Sequence, residues 1–411
     1  MSRQQEQIPE EQEFVRSLIE RIAEDCPRRQ AGSADEQRAQ ELVRRELEPL
    51  GLATELVPFA CNDSLYEVLA LHFGLGAVGS LLGRRAPLLA ALLHLSAAGS
   101  YWADSTRRAY LLRRLLPQVR SQNLLAVLPA RGEPRLRIVV PAHVDAAFTG
   151  LFFRLAAVLG LGRARRPGPR RLVERPLALA TYAELGLGVL ALARALGASR
   201  VRSRLLEGAL ALPGLTAFLS TLEIAVRNEV VPGANDDLSG VAGAVLLGRR
   251  LAASRPDGVE IVLAITGAEE AGAAGAEALA RAGRWPCEST VVVGLDGLCG
   301  GELCYFEEGE LAPTPVPAWL REVLLDAARS DPRFAGVGPY HIPVGFTDVY
   351  VFRRCGYDGV CLGCVEPGLG APRHYHMPSD TPDRLDFAAL VRAVDFAEQL
   401  VLGIARRRLG G

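Results

Sequence analysis

The chain has 411 residues, a formal net charge of −1 and an apolar fraction of 49%. All 46 basic residues are Arg, which excludes a catalytic or Schiff-base lysine, and the near-neutral charge gives no electrostatic basis for nucleic-acid binding. The length allows one large α/β domain with insertions or two ordinary domains, and the apolar fraction is typical of a large core or of a soluble domain with lipid-seeking helices.

The first residues and the cysteines bear on the compartment. The N-terminal segment is polar and acidic and lacks an apolar core, so we expect no cleavable signal peptide. Of the eight cysteines only Cys361 and Cys364 are closely spaced, and their apolar surroundings favour buried strand cysteines over half of a zinc site. Reduced thiols favour a cytoplasmic location, with membrane association as the alternative because of apolar stretches described below.

Two amphipathic helices are predicted near the N-terminus. Residues Gln12–Asp25 place their apolar side chains on one helical face. The capping box Ser33-Ala-Asp-Glu36 opens the second helix, which ends at Pro49-Leu-Gly51.

From Leu124 onward, short apolar runs alternate with helical patterns. The predicted strands are Leu124–Leu128, Leu136–Val140, Val259–Ile265 and Thr290–Leu295, and two of the predicted helices are Gly240–Ala253 and Ala271–Ala282. Strands and helices in alternation predict an α/β fold with a mostly parallel central sheet flanked by helices. In that architecture, ligands bind at the carboxyl ends of the strands.

Two stretches interrupt this alternation, and we interpret them as insertions into one domain that spans residues 1–411. Residues 63–118 are expected to form an apolar helical hairpin, and residues 149–228 an apolar, Arg-rich helical segment. The run Ala86–Ala103 just reaches the roughly 17 residues that a transmembrane helix needs, and Val68–Gly83 is slightly shorter. A helical subdomain, or helices buried in a dimer interface, explains these runs equally well, so membrane contact and homo-oligomerisation both stay open.

Three strand ends carry the residue types of a metal-dependent hydrolase. The second predicted strand runs into His143 and Asp145, a pattern in which the imidazole can bind metal and the Asp orient it, although an ordinary polar His is commoner. Glu269 and Glu270 follow the third strand, where they are either the acidic first turn of a helix or a metal ligand beside a general base. The fourth strand ends in Asp296.

Two loops add further candidates. Asp236 and Asp237 lie in a turn-rich segment ahead of a helix, where they either cap that helix or present a carboxylate that bridges two cations. His374-Tyr375-His376 precedes Ser379 and Asp380, one of which is expected to cap the following helix, and this cap is compatible with His376 as a ligand. Each segment has an ordinary structural explanation. If there were no metal site, all five of these explanations would have to be true simultaneously, so the combination of segments favours a metal site.

In order and context, these segments resemble metallopeptidase family twenty-eight, and within it the co-catalytic di-zinc aminopeptidase type. That family includes bacterial leucyl aminopeptidases, glutamate carboxypeptidase and glutaminyl cyclases. The resemblance covers roughly residues 10–60, 121–148 and 229–405. It implies the zinc-exopeptidase fold.

The resemblance also implies a role for each site residue. It implies two Zn²⁺ per chain, or other divalent metals such as Co²⁺ or Mn²⁺, held by His143 and Asp296 on one ion, Glu270 and His376 on the other, and Asp236 bridging both. In addition Glu269 would be the general base, Asp145 would orient His143, and Tyr375 would hydrogen-bond the developing oxyanion. The expected activity is a metallo-exopeptidase of the aminopeptidase type that hydrolyses N-terminal residues from peptides.

Two departures from the family pattern and two alternatives accompany this expectation. Phe346-Thr-Asp348-Val349 stands where members often carry Ser-Asp-His, and the gap between His143 and Asp236 is far longer than usual. Both ends of this second insertion are anchored at metal ligands, so it must emerge beside the active-site mouth as a lid, an oligomerisation element or a membrane anchor. The alternatives are a single-zinc acyltransferase like glutaminyl cyclase, which the two histidines disfavour, and a non-catalytic, membrane-associated peptidase-like protein, which the complete ligand set disfavours.

Overall fold

The structure is a computed structural model that describes residues 3–159, 172, 175–197 and 204–410, with side chains from residue 9 onward. The strands, in chain order, are β1 (Ala53–Cys61), β2 (Val119–Leu128), β3 (Leu136–His143), β4 (Phe148–Thr149), β5 (Glu229–Val230), β6 (Val259–Thr266), β7 (Thr290–Leu295), β8 (Glu302–Glu307), β9 (Pro339–His341) and β10 (Asp358–Val365). Eight of them form one sheet in the order β1-β2-β6-β3-β7-β10-β8-β9, and β4 pairs with β5 beside it.

The centre of the sheet is parallel. Strands β6, β3, β7 and β10 are parallel neighbours, whereas β1, β2 and β8 pair antiparallel towards the edges. The central strands are almost wholly buried and rich in Val, Ile and Leu, as expected for strands covered by helices on both faces. The predicted α/β fold with its mostly parallel sheet is confirmed.

Helices cover both faces of this sheet. In chain order they are α1 (Arg3–Asp25), α2 (Ala34–Leu47), α3 (Leu65–Leu82), α4 (Pro87–Ser105), α5 (Leu151–Leu159), α6 (Pro176–Ala195), α7 (Arg204–Arg227), α8 (Gly240–Ser254), α9 (Ala274–Arg281), α10 (Ala318–Ser330), α11 (Asp348–Arg354) and α12 (Phe387–Leu409). Helices α1, α2, α8, α10 and α12 enclose the larger apolar core with one set of strand side chains. Helices α9 and α11 enclose a second core with the other set.

Two differences from the predicted boundaries matter for the site. Strand β3 continues beyond its predicted end to His143, so this residue is the last of the strand. Helix α9 begins at Ala274 because the backbone at Gly272 and Ala273 is left-handed, with φ of 97° and 51°. The idea that the paired glutamates form the first turn of that helix is therefore wrong, since they lie in a turn between β6 and α9.

The predicted capping box at α2 is half formed. The Ser33 hydroxyl accepts the backbone N–H of Glu36, as expected at an N-cap. The Glu36 carboxylate accepts hydrogen bonds from the Gly32 N–H, the Ser121 hydroxyl and the Ala268 N–H at 2.7, 2.9 and 2.9 Å. It thus ties the N-terminal helices to β2 and to the turn that follows β6.

Four helices from the two insertions pack together as a bundle, which we call the inserted bundle: α3, α4, α6 and α7. Helix α3 packs against α4 and α7, and α6 packs against the same two partners. Helices α3 and α4 lie within residues 63–118, and α5, α6 and α7 within residues 149–228. The Arg-rich joint at residues 163–171 is outside the described residues.

Candidate metal centre and active site

The parallel strands bring the predicted site residues together at one edge of the sheet. His143 ends β3, Glu269 and Glu270 follow the neighbouring strand β6, and Asp296 follows β7 on the other side of β3. Loops complete the set, with Asp236 ahead of α8 and His376 after β10. The carboxyl ends of parallel strands meet at one edge, so the alternation of strands and helices places these side chains side by side.

Asp236 lies between the two histidines. Its Oδ1 is 3.2 Å from His143 Nε2, and its Oδ2 is 3.3 Å from His376 Nε2. His376 Nε2 is also 3.3 Å from Glu270 Oε1. Asp236, Glu270 and His376 therefore form one compact group, and their ligand atoms lie within 4.8 Å of one another.

More carboxylates lie close to His143 than the resemblance implied. Its ligand atoms approach those of Asp237 and Asp296 in one group, and those of Glu269 and Glu270 in another, each within 4.8 Å. Asp296 thus lies beside His143, but among the described residues it groups with Asp237 rather than with Asp236. The two histidines lie on opposite sides of a shared set of carboxylates.

Asp237 organises the centre and was not assigned a role from the sequence. Its carboxylate accepts the backbone N–H groups of His143, Gly240 and Gly297 at 3.1, 2.9 and 2.9 Å. It therefore joins β3, the start of α8 and the loop after β7 at one point. The acidic pair at 236–237 indicated this position, but no pattern distinguished the ligand from the residue that supports the loops.

Asp145 positions both glutamates as well as His143. Its two carboxylate oxygens accept the backbone N–H groups of Glu269 and Glu270, each at 3.0 Å. Its main-chain carbonyl lies 3.0 Å from His143 Nδ1, which leaves Nε2 directed towards Asp236. A fixed Nδ1 contact sets the ring orientation that a metal-binding imidazole requires.

A buried Arg helps to hold the loop that carries Asp236, and its role was not predicted from the sequence. Arg29 is fully buried and donates to the main-chain oxygens of Cys26, Val144, Pro232 and Gly233, at 2.9, 2.9, 2.7 and 3.2 Å. These bonds connect the residue before Asp145 to the turn that precedes Asp236. Contacts over such long sequence separations leave no local pattern.

Asp380 has a different role from the helix cap that the sequence suggested. It accepts the backbone N–H groups of Asn235 and Asp236 at 2.8 and 3.1 Å. Ser379 contacts His374 Nδ1 at 2.9 Å, and helix α12 is capped by Asp386. The predicted cap is wrong, because the carboxylate is drawn to N–H groups of the Asp236 loop instead.

The centre carries a surplus of acidic groups. Five carboxylates surround two imidazoles: Asp236, Asp237, Glu269, Glu270 and Asp296 around His143 and His376. Burial and the nearby Asp236 carboxylate raise the pKa of Asp296 to about 8. Burial disfavours the charged form of His376, but the Glu270 and Asp236 carboxylates outweigh it and raise the pKa of this imidazole to about 10. Burial and repulsion from Glu270 also raise the pKa of Glu269 well above its usual range.

These residues fit a metal ion. Asp236 Oδ2 is buried and accepts no hydrogen bond among the described residues, although the same carboxylate has His376 within reach. Buried carboxylates at this density are unfavourable unless cations compensate them. Imidazole nitrogens and carboxylate oxygens are donors that zinc accepts.

Aromatic side chains surround His376. Its ring centroid lies 4.0 Å from that of Tyr375 and 4.4 Å from that of Phe153. The hydroxyl of Tyr66, the second residue of α3, lies 3.2 Å from His376 Nδ1. Tyr66 and Phe153 come from the two insertions and were not predicted as site residues, so both insertions contact a candidate ligand.

The segment that departs from the family pattern also lies at the centre. Asp348 is buried, and its Oδ2 accepts the Thr266 hydroxyl at 2.5 Å. Together with His143 and Asp296 it lines a small recess under the carboxylate cluster. Burial raises the pKa of Asp348 to about 6. Val349, the residue next to Asp348, lines the same recess.

A cavity of about 470 Å³ opens onto these residues. Its floor contains His143, Asp236, Glu269 and His376, and its walls are mainly apolar side chains from the inserted bundle and from the loop around residues 342–347. Near Gly272 the wall also includes Arg113, whose guanidinium is held by two hydrogen bonds to Asp104 at 2.7 and 2.6 Å. The reacting groups therefore lie at the bottom of a pocket that the insertions help to build.

Comparison with known proteins agrees with this fold. Residues 220–401 match the model of Peptidase family M28, and no curated protein matches the chain in sequence. The chain is similar to a zinc aminopeptidase from Bacillus subtilis, with a TM-score of 0.54 and 14% identity over 95% of this chain and 94% of that one. A leucine aminopeptidase precursor from Bacteroides thetaiotaomicron has a TM-score of 0.54 and 12% identity, covering 95% of this chain and 96% of its own.

A glutaminyl cyclase from Bacteroides thetaiotaomicron is similar to the same degree, with a TM-score of 0.53 and 12% identity over 95% of this chain and 97% of that one. At such identities these structures establish the fold, and they do not separate the activities found on it. The family match includes the segments that carry Asp236, Glu269, Glu270, Asp296 and His376. Over residues 220–401 the chain is therefore similar to peptidase family M28.

Proposed function

We propose that the chain is a zinc-dependent exopeptidase of the aminopeptidase type that holds two zinc ions. The observation that carries this proposal is Asp236, whose two oxygens lie 3.2 and 3.3 Å from the Nε2 atoms of His143 and His376. A carboxylate directed at two imidazoles through separate oxygens is suited to bridge two cations. The zinc aminopeptidase and the leucine aminopeptidase precursor of similar fold support both the metal and the type of activity.

In this proposal the ligands divide as the resemblance implied. His143 and Asp296 would hold one ion, Glu270 and His376 the other, and Asp236 would bridge them. When bound, two such ions lower the pKa of a shared water towards about 7 and polarise the carbonyl of the scissile bond. Co²⁺ and Mn²⁺ accept the same donors, so metal analysis must identify the ion.

Glu269 is the proposed general base. Its carboxylate lies beside His143 and Glu270 and is partly open to the cavity, and the proposed division of ligands leaves it without a metal ion. From this position it takes the proton of the attacking water and delivers it to the leaving amine. Its backbone N–H is fixed by Asp145, as is that of Glu270, so base and ligand keep their spacing.

Tyr375 is the proposed donor to the developing oxyanion. Its ring lies against His376 and lines the cavity above the carboxylates. A phenolic O–H in such a place stabilises negative charge that forms on the carbonyl oxygen. Peptide substrates with a free α-amine fit the acidic floor of the cavity because surplus carboxylates attract a positive charge.

Hydrolysis of matched substrates tests this proposal. We expect the purified full-length chain to release leucine from Leu-Gly-Gly and to leave N-acetyl-Leu-Gly-Gly intact, with activity lost after chelation and restored by zinc. The Glu269→Gln variant is the matched control for contaminating peptidases. Cleavage confined to the N-acetylated peptide would contradict the aminopeptidase assignment.

A glutaminyl-cyclase-like activity is the second candidate, because the cyclase from Bacteroides thetaiotaomicron is as similar in fold as the aminopeptidases. A peptide with N-terminal Gln separates the two candidates in one assay. An aminopeptidase releases free glutamine, whereas a cyclase releases ammonia and leaves a blocked peptide. The second result, with one zinc per chain, would replace the proposed function.

A further inference from the structure

We propose that the inserted bundle is embedded in a lipid bilayer and that its four helices cross the hydrocarbon core. This inference rests on the shape and polarity of the bundle, and it holds whatever reaction the catalytic centre performs. By length and composition, three of the four helices, α3, α6 and α7, are apolar enough to cross a membrane.

The four helices are arranged as two hairpins that leave the catalytic cavity and return to it. Leu65 at the start of α3, Ser105 at the end of α4, Pro176 at the start of α6 and Ile224 near the end of α7 all line the cavity. The helices contain 18, 19, 20 and 24 residues. At about 1.5 Å per residue they extend roughly 27–36 Å, which matches the hydrocarbon core of about 30 Å.

The far ends of the hairpins meet through charged side chains. Arg84 donates to Glu207 at 3.4 Å, Arg194 donates to the Gly83 carbonyl at 2.9 Å, and Arg194 also pairs with Glu207. These groups follow α3, end α6 and begin α7, so they lie at the end of the bundle opposite the cavity. Arginines at helix ends are suited to the polar interface of a bilayer.

The outward surface of the bundle is apolar on every helix. Exposed large apolar side chains that do not line the cavity occur on all four: Val78, Leu81, Leu88, Leu89, Leu92, Trp102, Tyr182, Leu185, Val189, Leu192, Leu205, Leu206, Leu219, Leu222 and Val226. Across the described parts of the remaining chain, outside the two insertions, only Leu56 and Leu325 are of this kind. Soluble proteins rarely expose apolar patches this large.

The interior of the bundle holds a pair of ionisable side chains beside small residues, among otherwise apolar contacts. His94 Nδ1 of α4 lies 2.5 Å from Glu184 Oε2 of α6, and both side chains are 2% exposed. Gly76 of α3 and Gly214 of α7 face this carboxylate, and a Cβ on either would lie within 2.3 Å of it. All four residues are near the middle of their helices. Small residues at helix contacts and a paired ionisable group facing inward are typical of helices that pack within lipid.

A second copy of the chain does not cover this surface equally well. A symmetric dimer buries one face of each partner, whereas the exposed side chains belong to all four helices of a closed bundle. A water-soluble bundle would also place its apolar side chains inward. A lipid bilayer would contact the exposed apolar side chains of all four helices simultaneously. The catalytic cavity then lies at one surface of the membrane, where the near ends of the helices emerge.

Depth-dependent quenching in vesicles tests the proposal. The full-length chain is reconstituted into phosphatidylcholine vesicles with brominated acyl chains, after Cys287→Ser and Cys355→Ser remove the two partly exposed thiols. A bimane label is attached at Leu92→Cys or Leu219→Cys, both outward-facing on the bundle, and at Leu325→Cys on α10 as the matched exposed control.

We expect brominated lipid to quench the two bundle labels several-fold more strongly than the control, and aqueous iodide to quench only the control. Iodide quenching of all three labels to the same extent in a lipid-free monomer would overturn the proposal. Bundle labels shielded from iodide in a lipid-free dimer would also overturn it, because a second copy would then be the occupant. Fractionation of the unlabelled wild-type chain gives a second test. If the chain stays in the supernatant without detergent when membranes are sedimented, the proposal is wrong.

Discussion

The α/β core and the inserted bundle differ in the side chains that they expose and in where their ionisable groups lie. In the core, the apolar residues of β3, β6, β7 and β10 lie between helices, and the polar residues gather at the strand ends. In the bundle, a His–Glu pair is buried and leucines face outward on each helix. The core thus has the pattern of a domain that folds in water, and the bundle has the pattern expected of the lipid-embedded helices that we propose.

The two regions meet at the catalytic centre. Tyr66 from α3 contacts His376 Nδ1, and Phe153 from α5 lies against the same imidazole. The comparison teaches that the insertions are part of the site although they lie outside the strands and loops that carry the candidate ligands. Three substitutions test how far the two regions are independent: one in the core, one in the bundle and one at the contact between them.

Glu269→Gln should have the largest effect, and only on the core. Loss of the general base is expected to lower kcat by about 10²–10⁴-fold, measured on an unblocked tripeptide. Metal content and the lipid quenching of bundle labels should stay at wild-type values, since this carboxylate makes no hydrogen bond to the bundle among the described residues. Retained activity would show that the base is misassigned.

Glu184→Leu should affect the bundle most. The change leaves His94 without its buried partner, which costs on the order of 3–5 kcal/mol of unfolding free energy. The double variant Glu184→Leu with His94→Leu should recover most of this loss, since neither buried polar side chain is then left without its partner. Denaturant unfolding in lipid nanodiscs measures the three free energies. Equal losses in the single and double variants would argue that the pair is not coupled.

Tyr66→Phe probes the contact between the two regions. Removing the phenolic hydroxyl deletes its hydrogen bond to His376 Nδ1, and such a bond contributes about 0.5–1.5 kcal/mol. We expect affinity for one of the two zinc ions to fall by roughly 2–10-fold, with the bundle unchanged in lipid quenching. Phe153→Leu serves as the comparison, since it alters the aromatic wall without removing a hydrogen bond. Unchanged zinc affinity in Tyr66→Phe would make the contact merely steric.

The smallest expected effect is on the pH dependence of stability. In the metal-free chain the pKa values of Asp296 and His376 are raised to about 8 and about 10, from 3.8 and 6.5. The folded state therefore binds more protons than the unfolded state, and stability falls as pH rises, most steeply between pH 6.5 and 8 where both groups contribute. Tm of the chelated chain should drop by roughly a few °C over this interval.

Zinc should reverse that trend, because metal replaces the protons on these groups and binds more tightly as pH rises. The difference in Tm between zinc-loaded and chelated chains should widen from pH 6.5 to pH 8. A Tm of the chelated chain that rises over the same interval would contradict the raised pKa values. Differential scanning calorimetry on both forms provides the comparison.

Much of the core was predictable from local patterns. Strand β7 has the predicted bounds. An acidic residue or a His directly after an apolar strand also indicates that this residue lies at the edge of the sheet where ligands bind. The predicted two-helix start also appears, since its capping Ser33 acts within one turn of helix. These features depend on neighbours in sequence, so periodicity and caps reveal them.

The rest of the site depends on contacts between distant segments. Arg29 reaches main-chain oxygens more than a hundred residues away, and Asp380 binds the Asp236 loop from the other end of the domain. Tyr66 contacts His376 over a separation of 310 residues. A buried Arg, an Asp after a His-rich loop and a Tyr at a helix start each have ordinary local explanations, so no pattern in the sequence indicated their roles.

Metal stoichiometry tests the central claim most directly. The purified full-length chain is dialysed against zinc-buffered solution and analysed by inductively coupled plasma mass spectrometry, beside His376→Ala and Glu269→Gln. The two-metal account predicts about two zinc ions per chain in the wild type and in Glu269→Gln, and about one in His376→Ala. One or no zinc ion in the fully loaded wild-type chain would contradict it.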